Sequence, residues 1–517
     1  MLFNSYIFIF LFLPLSLAGF YAIARWHHRA ASAWLVFASF VFYGWWNPPF
    51  VVLLAASILF NYTVGVGLQS LAERPRAQTW LLAAGIASNL GLLFYYKYFV
   101  FTVTVLLKLG LAHSRPDDIL LPLGISFFTF TQIGYLMDCK SGIAKGRRLI
   151  DYALFVTFFP HLIAGPILHH REMMPQFENK ETYRFRAENL SVGLALFVIG
   201  LAKKVLIADQ LAPMANGGFA FAGQMTTLSA WSAVLCYSLQ LYFDFSGYSD
   251  MAIGLARMFG VRFPANFNSP YKAASIIDFW QRWHMTLTRY LTLYLYNPVA
   301  MAITRRRLAQ GKPVARQGTA TLGGFVSMVA VPTIYTMFLA GVWHGAGTHF
   351  VIFGLLHGFY LVVNHGWRTF GPKGETRWPV HVFYVLLTYM AVLVAQVFFR
   401  ATSVSEALAL LAAMAGFPGL VPTGSTRGGY ELWQAFEGLL DPLTAVKIAL
   451  CFVIVFALPN SLEIMARYEP ILGKFKPKVA AALQWQPNAA WAVYLGALGA
   501  IAILSLSGAT EFLYFQF

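Results

Sequence analysis

Several histidines of this chain lie in a strongly apolar part of the sequence, between residues 341 and 364. His344 ends one hydrophobic run in the motif Gly-Val-Trp-His-Gly-Ala-Gly, and His349 and His357 stand at the start and in the middle of the next run. Polar side chains at membrane depth are energetically costly, so each histidine is a candidate for function. Interior histidines also join helices through hydrogen bonds, and the residues alone leave both interpretations open.

A histidine in this setting can act as both base and acid. Neutral imidazole, with an ordinary pKa of about 6.5, takes the proton of a hydroxyl that attacks an acyl carbonyl and returns it to the leaving group. The sequence has no Walker A, HExxH or GxSxG motif, which weighs against nucleotide hydrolysis, zinc proteolysis and serine hydrolysis. His169, His170 and Glu172 lack the spacing of a ligand set, so no metal is expected.

The composition is that of an integral membrane protein. The 517 residues are 58% hydrophobic and only 11% charged, and the mean hydropathy is +0.61. We therefore predict an all-α, polytopic membrane protein with about 11–13 hydrophobic segments. The sequence contains no fixed-period repeat and no linker that would separate soluble domains, so residues 1–517 are predicted to form a single domain.

The positive charge is distributed unevenly between alternate loops. Lys and Arg number 20 in one set of loops and 4 in the other, which under the positive-inside rule places both termini outside the cytoplasm. Because the basic residues lie in short loops, the net charge of +16 indicates topology rather than a nucleic-acid partner. Residues 152–168 contain several helix breakers, including Pro160 and Gly165, and are predicted to form a broken or re-entrant segment.

The segment 278–296 carries a polar pattern among aromatic residues. Asp278 and Arg282 stand four residues apart and can form an ion pair on a helix. A continuous helix would also bring four side chains onto one polar stripe, Gln281, His284, Thr288 and Thr292. Such a stripe either lines a cavity or faces water from a helix at the membrane surface.

Several separated motifs, in this order, resemble the membrane-bound O-acyltransferase family. They are Phe-Phe-Pro-His-Leu-Ile-Ala-Gly-Pro at 158–166, Tyr-Phe-Asp-Phe-Ser-Gly-Tyr-Ser-Asp-Met-Ala-Ile-Gly at 242–254, Asp-Phe-Trp-Gln-Arg-Trp-His at 278–284 with Asn-Pro at 297–298, Gly-Val-Trp-His-Gly-Ala-Gly at 341–347 with Leu-Leu-His-Gly at 355–358, and the ending 511–517. They are most similar to the family's bacterial polysaccharide branch, which includes alginate O-acetylase and the acyltransferases of cellulose acetylation. The resemblance implies helices, some of them re-entrant, around a central tunnel.

The resemblance also implies roles for individual residues. His344 matches the family's catalytic histidine, and His284 matches a second polar position on the other wall of the tunnel. Arg305, Arg306 and Arg307 are candidates to attract the phosphates of coenzyme A, although an ordinary positive-inside cluster is the favoured explanation. Five further side chains are expected to orient or bind the substrate. Gln281 and Thr288 belong to the polar stripe, His357 and Asn364 share a helical face with Tyr360, and Asp244 is the fifth, for which a structural role is favoured.

The implied function is O-acetylation at the bacterial inner membrane. Acetyl-CoA from the cytoplasm is the expected donor substrate, with no tightly bound cofactor, and the acceptor is a secreted polysaccharide or a periplasmic acetyl-carrier or transferase protein. Gln281 stands where the alginate-type enzymes carry a basic residue, and residues 297–319 lack their Gly-rich pattern, so cellulose is considered beside alginate. Two alternatives stay open, a transporter or flippase that uses buried His and Asp groups, and an acceptor such as peptidoglycan or a teichoic-acid carrier.

Overall fold

The computed structural model describes residues 1–144, 148–372, 377–421, 442–473, 475, 477, 479–506 and 513. Every regular element within these residues is helical, which confirms the predicted all-α membrane fold. Six helices of the described part are long and apolar enough to cross a membrane, namely Pro49–Ser70, Pro75–Lys108, Ala187–Ala220, Leu322–His344, Thr348–Phe370 and Trp378–Arg400.

These helices are fewer than the 11–13 hydrophobic segments predicted, because other apolar segments form shorter helices. Phe8–Ala24 and Ala489–Leu504 belong to this shorter class. The single domain predicted for residues 1–517 stays a prediction. By the contacts between residues, the chain divides into two compact units, Met1–Leu206 with Ser246–Ala265 and Ser461–Gln516, and Ile207–Phe245 with Asn266–Asn460 and Phe517.

The first unit is built from helices that pack through small residues. Gly193 lies against the backbone of Gly254, and Gly200 against that of Gly247, so an added Cβ at any of these positions would meet main-chain atoms. The helices of the first unit are Phe8–Phe12, Leu13–Ala24, His28–Gly44, Pro49–Ser70, Pro75–Leu93, Phe94–Tyr98, Phe99–Lys108, Ile125–Lys140, Leu149–Thr157, Phe159–Leu162, His170–Glu178, Lys180–Tyr183, Ala187–Ala202, the first part of Lys203–Ala208, the later part of Thr227–Met258, Ser461–Met465, Ala466–Tyr468, Ala481–Leu483 and Ala489–Leu504.

Two features of the first unit follow from its sequence. The predicted broken segment is present, since Leu149–Thr157 and Phe159–Leu162 are separate helices and residues 163–169 are not helical. One turn beyond the close contact at Gly200, the Lys203 ammonium pairs with the Asp250 carboxylate at 2.6 Å. This buried pair joins two apolar helices by charge, which is how ionisable groups at such depth are normally accommodated.

The second unit contains most of the residues singled out from the sequence. Its helices are Asp209–Ala220, Ala222–Gln224, the first part of Thr227–Met258, Pro270–Lys272, Ile276–Trp280, Met285–Leu291, Thr292–Tyr296, Asn297–Ala309, Ala315–Thr319, Leu322–Phe325, Val326–Ala330, Val331–His344, Thr348–Phe370, Trp378–Arg400, Val404–Met414 and Pro442–Ala457. Between the helices Trp378–Arg400 and Pro442–Ala457, Val404–Met414 is helical, and residues 422–441 lie outside the described residues.

Val331–His344 and Thr348–Phe370 form an antiparallel pair that we call the histidine hairpin. The two helices touch where Gly341 faces Gly354, and a Cβ on Gly354 would overlap the carbonyl oxygen of Met337. Small residues at such crossings allow helix backbones in membranes to approach closely. The hairpin therefore fixes the position of His344 relative to the residues that follow on the second helix.

Candidate active site

His344 is the last residue of the first helix of the histidine hairpin. The chain leaves the helix at Gly345 in an extended conformation, and the imidazole is 7% exposed. Three aromatic rings surround it, with centroid distances of 4.8 Å to Trp343, 5.7 Å to Phe353 and 5.0 Å to Phe399. An apolar box of this kind excludes water from the imidazole, which strengthens its interactions with any polar group that enters.

His357 lies further along the second helix of the hairpin and is also buried. The Trp280 indole N–H donates a hydrogen bond to His357 Nδ1 at 3.3 Å, so the neutral ring carries its proton on Nε2. Phe353 contacts both His357, at 4.8 Å, and His344. The predicted helical face with Tyr360 and Asn364 is present, since the Tyr360 ring lies 6.0 Å from that of His357.

The predicted continuous stripe through 281–292 is wrong, because the helix breaks at His284. Ile276–Trp280 ends before Gln281, and Met285–Leu291 begins after His284, whose φ of 43° and ψ of 51° are left-handed. Few residues other than Gly adopt this conformation. It turns His284 out of the stripe, although the Arg282 Nε to Asp278 Oδ1 ion pair at 2.8 Å forms as predicted.

His284 lies in its own buried environment and is 1% exposed. Its Nδ1 lies 2.9 Å from Asn266 Oδ1, and the Phe245 ring meets the imidazole edge to face at 4.8 Å. Burial lowers the pKa of His284 to about 3, because the charged form loses hydration. His284 is therefore neutral at physiological pH and is a hydrogen-bonding group rather than a base poised near pH 7.

The remaining members of the stripe line a cavity of about 290 Å³, which we call the threonine cavity. Its wall includes both helices of the histidine hairpin and the π-helical turn Thr292–Tyr296. Gln281, Thr288 and Thr292 thus line one cavity, although Gln281 and Thr292 are also exposed. The lining residues are Ile277, Trp280, Gln281, Thr288, Leu291, Thr292, Tyr296, Thr333, Thr336, Met337, Leu361 and His365.

Threonine hydroxyls give the threonine cavity its polar character. Each donates to a carbonyl of its own segment, Thr288 to Trp280 at 3.0 Å, Thr333 to Val329 at 2.7 Å and Thr336 to Pro332 at 2.7 Å. Since the hydroxyl protons are used in this way, the oxygens offer lone pairs as hydrogen-bond acceptors. A ligand with N–H groups along an otherwise apolar arm matches such a wall.

The other predicted site residues, Asp244, Asn364 and the arginines at 305–307, lie in different surroundings. Asp244 is buried beside Phe245, and the Asn364 side chain accepts a hydrogen bond from the Ile277 amide at 3.3 Å. Of the arginines at 305–307, Arg305 and Arg306 are exposed, whereas Arg307 donates to Ser327 Oγ at 3.2 Å and to a nearby carbonyl. Arg305 and Arg306 therefore have side chains available for an anionic ligand, and Asn364 orients the helix that begins at Ile276.

Sequence reasoning missed Asn266, Phe353 and the threonines of the first hairpin helix. Phe353 could have been found from its spacing, since it stands four residues before His357 on one helical face. Asn266 carries no such signal, because it reaches His284 through a loop 18 residues away. In the described residues, no group of three or more His, Cys, Asp or Glu side chains is arranged to hold a metal ion.

Comparison with known proteins adds a second, independent line of evidence. The model of the membrane-bound O-acyltransferase family matches residues 136–311, which include His284 and end before His344. Peptidoglycan O-acetyltransferase of Helicobacter pylori is 39% identical over 450 residues, 81% of this chain and 81% of that protein.

Other relatives differ in the acceptor that their names state. The probable alginate O-acetylase AlgI of Azotobacter vinelandii is 38% identical over 461 residues, 88% of this chain and 84% of that protein. The teichoic acid D-alanyltransferase of Bacillus subtilis is 26% identical over 282 residues, 54% of this chain and 68% of that protein. The names of these relatives state transfer of an acyl group, to peptidoglycan, alginate or teichoic acid.

Proposed function

Because the chain belongs to the membrane-bound O-acyltransferase family, we propose that it transfers acetyl from acetyl-CoA to an acceptor hydroxyl. The observation that carries this proposal is the histidine hairpin, on which buried His344 and the threonine cavity share one helix. Met337, in the cavity wall, precedes His344 by seven residues, which is about 10 Å along a helix axis. One rigid element thus supports a donor site and a base.

In the proposed reaction His344 is the general base. The acceptor hydroxyl oxygen attacks the carbonyl carbon of the acetyl thioester while His344 takes the hydroxyl proton. As the tetrahedral intermediate collapses, the carbon–sulfur bond breaks and the imidazolium returns the proton to the departing thiolate. The products are an O-acetyl ester and coenzyme A, and no covalent bond to the enzyme is needed.

The threonine cavity is the proposed site of the pantetheine arm of acetyl-CoA. That arm is a flexible chain with two amide groups, and the acceptor oxygens of Thr288, Thr333 and Thr336 suit its N–H groups. The volume of about 290 Å³ is at the lower end for a small-molecule site, which fits an extended arm. Gln281 adds an amide that can both donate and accept.

The phosphates of acetyl-CoA are proposed to lie near Arg305 and Arg306. Both guanidinium groups are exposed, and the segment 279–374 contains no Asp or Glu that would compete for them. The excess of Lys and Arg in one set of loops supports a cytoplasmic position for this end, with both termini in the periplasm of a bacterial inner membrane. The donor then enters from the cytoplasm, and the acetyl group leaves on the other side.

The acceptor is proposed to be a hydroxyl of a surface or secreted polysaccharide, reached directly or through a periplasmic acetyl-carrier or transferase protein. Identities of 39% to a peptidoglycan O-acetyltransferase and 38% to a probable alginate O-acetylase support these two polymers about equally. Cellulose is a third polymer of the same hydroxyl chemistry. A thiol-release assay on the purified protein separates these acceptors.

The assay incubates the detergent-purified protein with acetyl-CoA and, in parallel, alginate, cello-oligosaccharides or a peptidoglycan fragment, each with and without membrane-free periplasmic extract. The expected result is release of the coenzyme A thiol that depends on one acceptor and is lost in His344→Ala. His113→Ala, which alters an exposed histidine in a loop, is the matched control and should retain the rate. A transporter or flippase would release no thiol with any acceptor, and that result would overturn the proposal.

A further inference from the structure

His365 is a titratable side chain in the wall of the threonine cavity to which the proposed reaction gives no role. It lies on the second helix of the histidine hairpin and is half-buried. Of the residues that line the cavity, His365 is the only one whose side chain can carry a positive charge, and none of them is Asp or Glu. The cavity therefore has one position for a cation in a wall that is otherwise neutral.

The imidazole of His365 makes no hydrogen bond to the part of the chain that the structure describes. The Thr369 hydroxyl donates to the main-chain carbonyl of His365 at 2.9 Å, which leaves the ring unused. The nearby guanidinium of Arg368 is itself engaged, since its Nη2 donates to Ser275 Oγ at 3.1 Å. Whichever ring nitrogen carries the proton, His365 has an N–H to donate to a ligand in the cavity.

The distance between His365 and His344 matches the length of a pantetheine arm. Gly341 and Gly354 lie at one level of the antiparallel hairpin. His344 is three residues beyond Gly341 and His365 is eleven residues beyond Gly354, in opposite directions, which separates them by about 20 Å along the axis. The arm joins its sulfur to its phosphate through about 13 bonds, or about 15 Å when extended. The remainder accommodates the acetyl carbon and the acceptor hydroxyl beside His344.

Positive charge is concentrated at the same end of the hairpin as His365. Arg307 Nη1 donates to Ser327 Oγ at 3.2 Å, and Ser327 precedes His344 by 17 residues on the helix Leu322–His344, about 25 Å along its axis. Arg368 lies three residues beyond His365. Arginines at this end favour the anionic part of a ligand over its neutral part. An arm that reaches from His344 to His365 therefore has its phosphate where the cations are.

We propose that His365 binds the phosphate at the end of the pantetheine arm, with its imidazole N–H donating to a phosphate oxygen. The inference rests on the proposed function and adds to it the residue that recognises the phosphate end of the arm. The threonine oxygens accept from the amide N–H groups of the arm, and His365 supplies the donor that an anion needs. The threonine cavity should therefore distinguish 4′-phosphopantetheine from pantetheine, which differ only in the phosphate.

Titration calorimetry on the detergent-purified protein tests this with those two ligands. Wild type is expected to bind 4′-phosphopantetheine about 10-fold or more tightly than pantetheine, the usual effect of a hydrogen bond to a charged group. In His365→Leu, which has no N–H, the ratio of the two dissociation constants should fall to about 3-fold or less. His365→Gln retains an N–H and should give a ratio between those of His365→Leu and wild type.

His381→Leu alters an exposed histidine of the helix Trp378–Arg400 that does not line the cavity, and this matched control should keep the wild-type ratio. If His365 only shaped the cavity, His365→Leu would weaken both ligands by the same factor and leave the ratio unchanged, and that result would overturn the proposal. Equal affinities in wild type would also overturn it. Because binding is measured without turnover, wild-type protein that transfers no acetyl from acetyl-CoA would instead overturn the proposed function.

Discussion

At the scale of single residues, the site combines two buried histidines whose surroundings suit different tasks. His344 lies in a box of aromatic rings at the end of a helix, while His284 is fixed by the Asn266 side chain in a left-handed turn. Because burial holds the pKa of His284 near 3, that imidazole is a weak base at neutral pH. These environments support the proposed division of labour, with His344 as base and His284 as orienting group.

The low pKa of His284 predicts a loss of stability in acid. The unfolded histidine takes up a proton below its ordinary pKa of 6.5, whereas the folded one stays neutral down to about pH 3. The free energy of unfolding should therefore fall by up to about 1.4 kcal/mol for each pH unit below 6.5. Thermal unfolding in detergent from pH 7.5 to pH 4.5 measures this contribution.

His284→Asn is the comparison for that experiment, because Asn tolerates left-handed backbone and does not titrate. The variant is expected to be less stable than wild type at pH 7.5 but to lose stability less steeply as the pH falls. Parallel pH dependences for the two proteins would contradict the neutral, buried state of His284.

Some features of the site could be predicted from the sequence and others could not. His344 and His357 could be singled out because an imidazole in an apolar run is conspicuous, and Gln281 and Thr288 because their spacing matches a helical face. The break at His284 could not be predicted from local pattern, since Met285–Leu291 continues the same helical periodicity. The break depends on hydrogen bonds between the turn and the residues Asn266 and Asn268, which are tertiary contacts.

At the scale of elements, the histidine hairpin sets the geometry of the site. An added Cβ on Gly354 would overlap the Met337 carbonyl oxygen and lie 2.9 Å from the Cα of Gly341, whereas on Gly366 of the same helix it would meet only ring atoms of Phe325 at 3.6 and 3.9 Å. The hydrophobic runs before and after His344 predict the two helices, but not which of their glycines touch. That contact depends on how one helix is rotated against the other.

Gly354→Ala is expected to destabilise the protein by about 1–3 kcal/mol, the usual cost of overfilling a packed contact. Gly366→Ala is the matched control and should be neutral or stabilising by up to about 1 kcal/mol, because Ala favours helix over Gly. Thermal unfolding midpoints of the two variants measure the difference. Equal midpoints would show that the hairpin does not depend on this close approach.

The Lys203–Asp250 pair is a second element-scale contact, in the first unit. Its atoms are 2.6 Å apart, with side chains 15% and 7% exposed, and Lys203 also donates to Ser461 Oγ at 3.2 Å. Removal of one charge leaves the other buried and unpaired, which typically costs about 3–5 kcal/mol. Lys203→Met and Asp250→Leu are therefore each expected to be severely destabilising, and the double variant less so than their sum. Additive losses would contradict a direct pairing.

At the scale of the whole molecule, the distribution of charge is the main feature that sequence alone could establish. The apolar composition predicts a helical membrane protein, and the Lys and Arg asymmetry between alternate loops predicts its orientation. Composition could not indicate which basic residues are free to bind a ligand. The structure makes that distinction, since Arg307 donates to Ser327 and to a neighbouring carbonyl whereas Arg305 and Arg306 are exposed.

Arg305→Gln combined with Arg306→Gln is expected to raise the KM for acetyl-CoA several-fold and to leave the KM for the acceptor unchanged, because two charges near the donor phosphates are lost. The effect should shrink as ionic strength rises, since salt screens exposed charges. Arg74→Gln with Arg76→Gln changes two exposed arginines of another loop and is the matched control. An equal rise in the KM for acetyl-CoA in the control pair would show that Arg305 and Arg306 act only as part of the overall surface charge.

The most direct test of the account follows a labelled acetyl group from acetyl-CoA to the acceptor. Wild-type protein is expected to place the label in O-acetyl esters of the acceptor, with one coenzyme A thiol released for each ester formed. His344→Ala should fold and yield no ester above background, and His344→Gln should not restore it, because an amide cannot take the hydroxyl proton. Labelled ester formed by His344→Ala at a substantial fraction of the wild-type rate would contradict the assignment of His344 as the base.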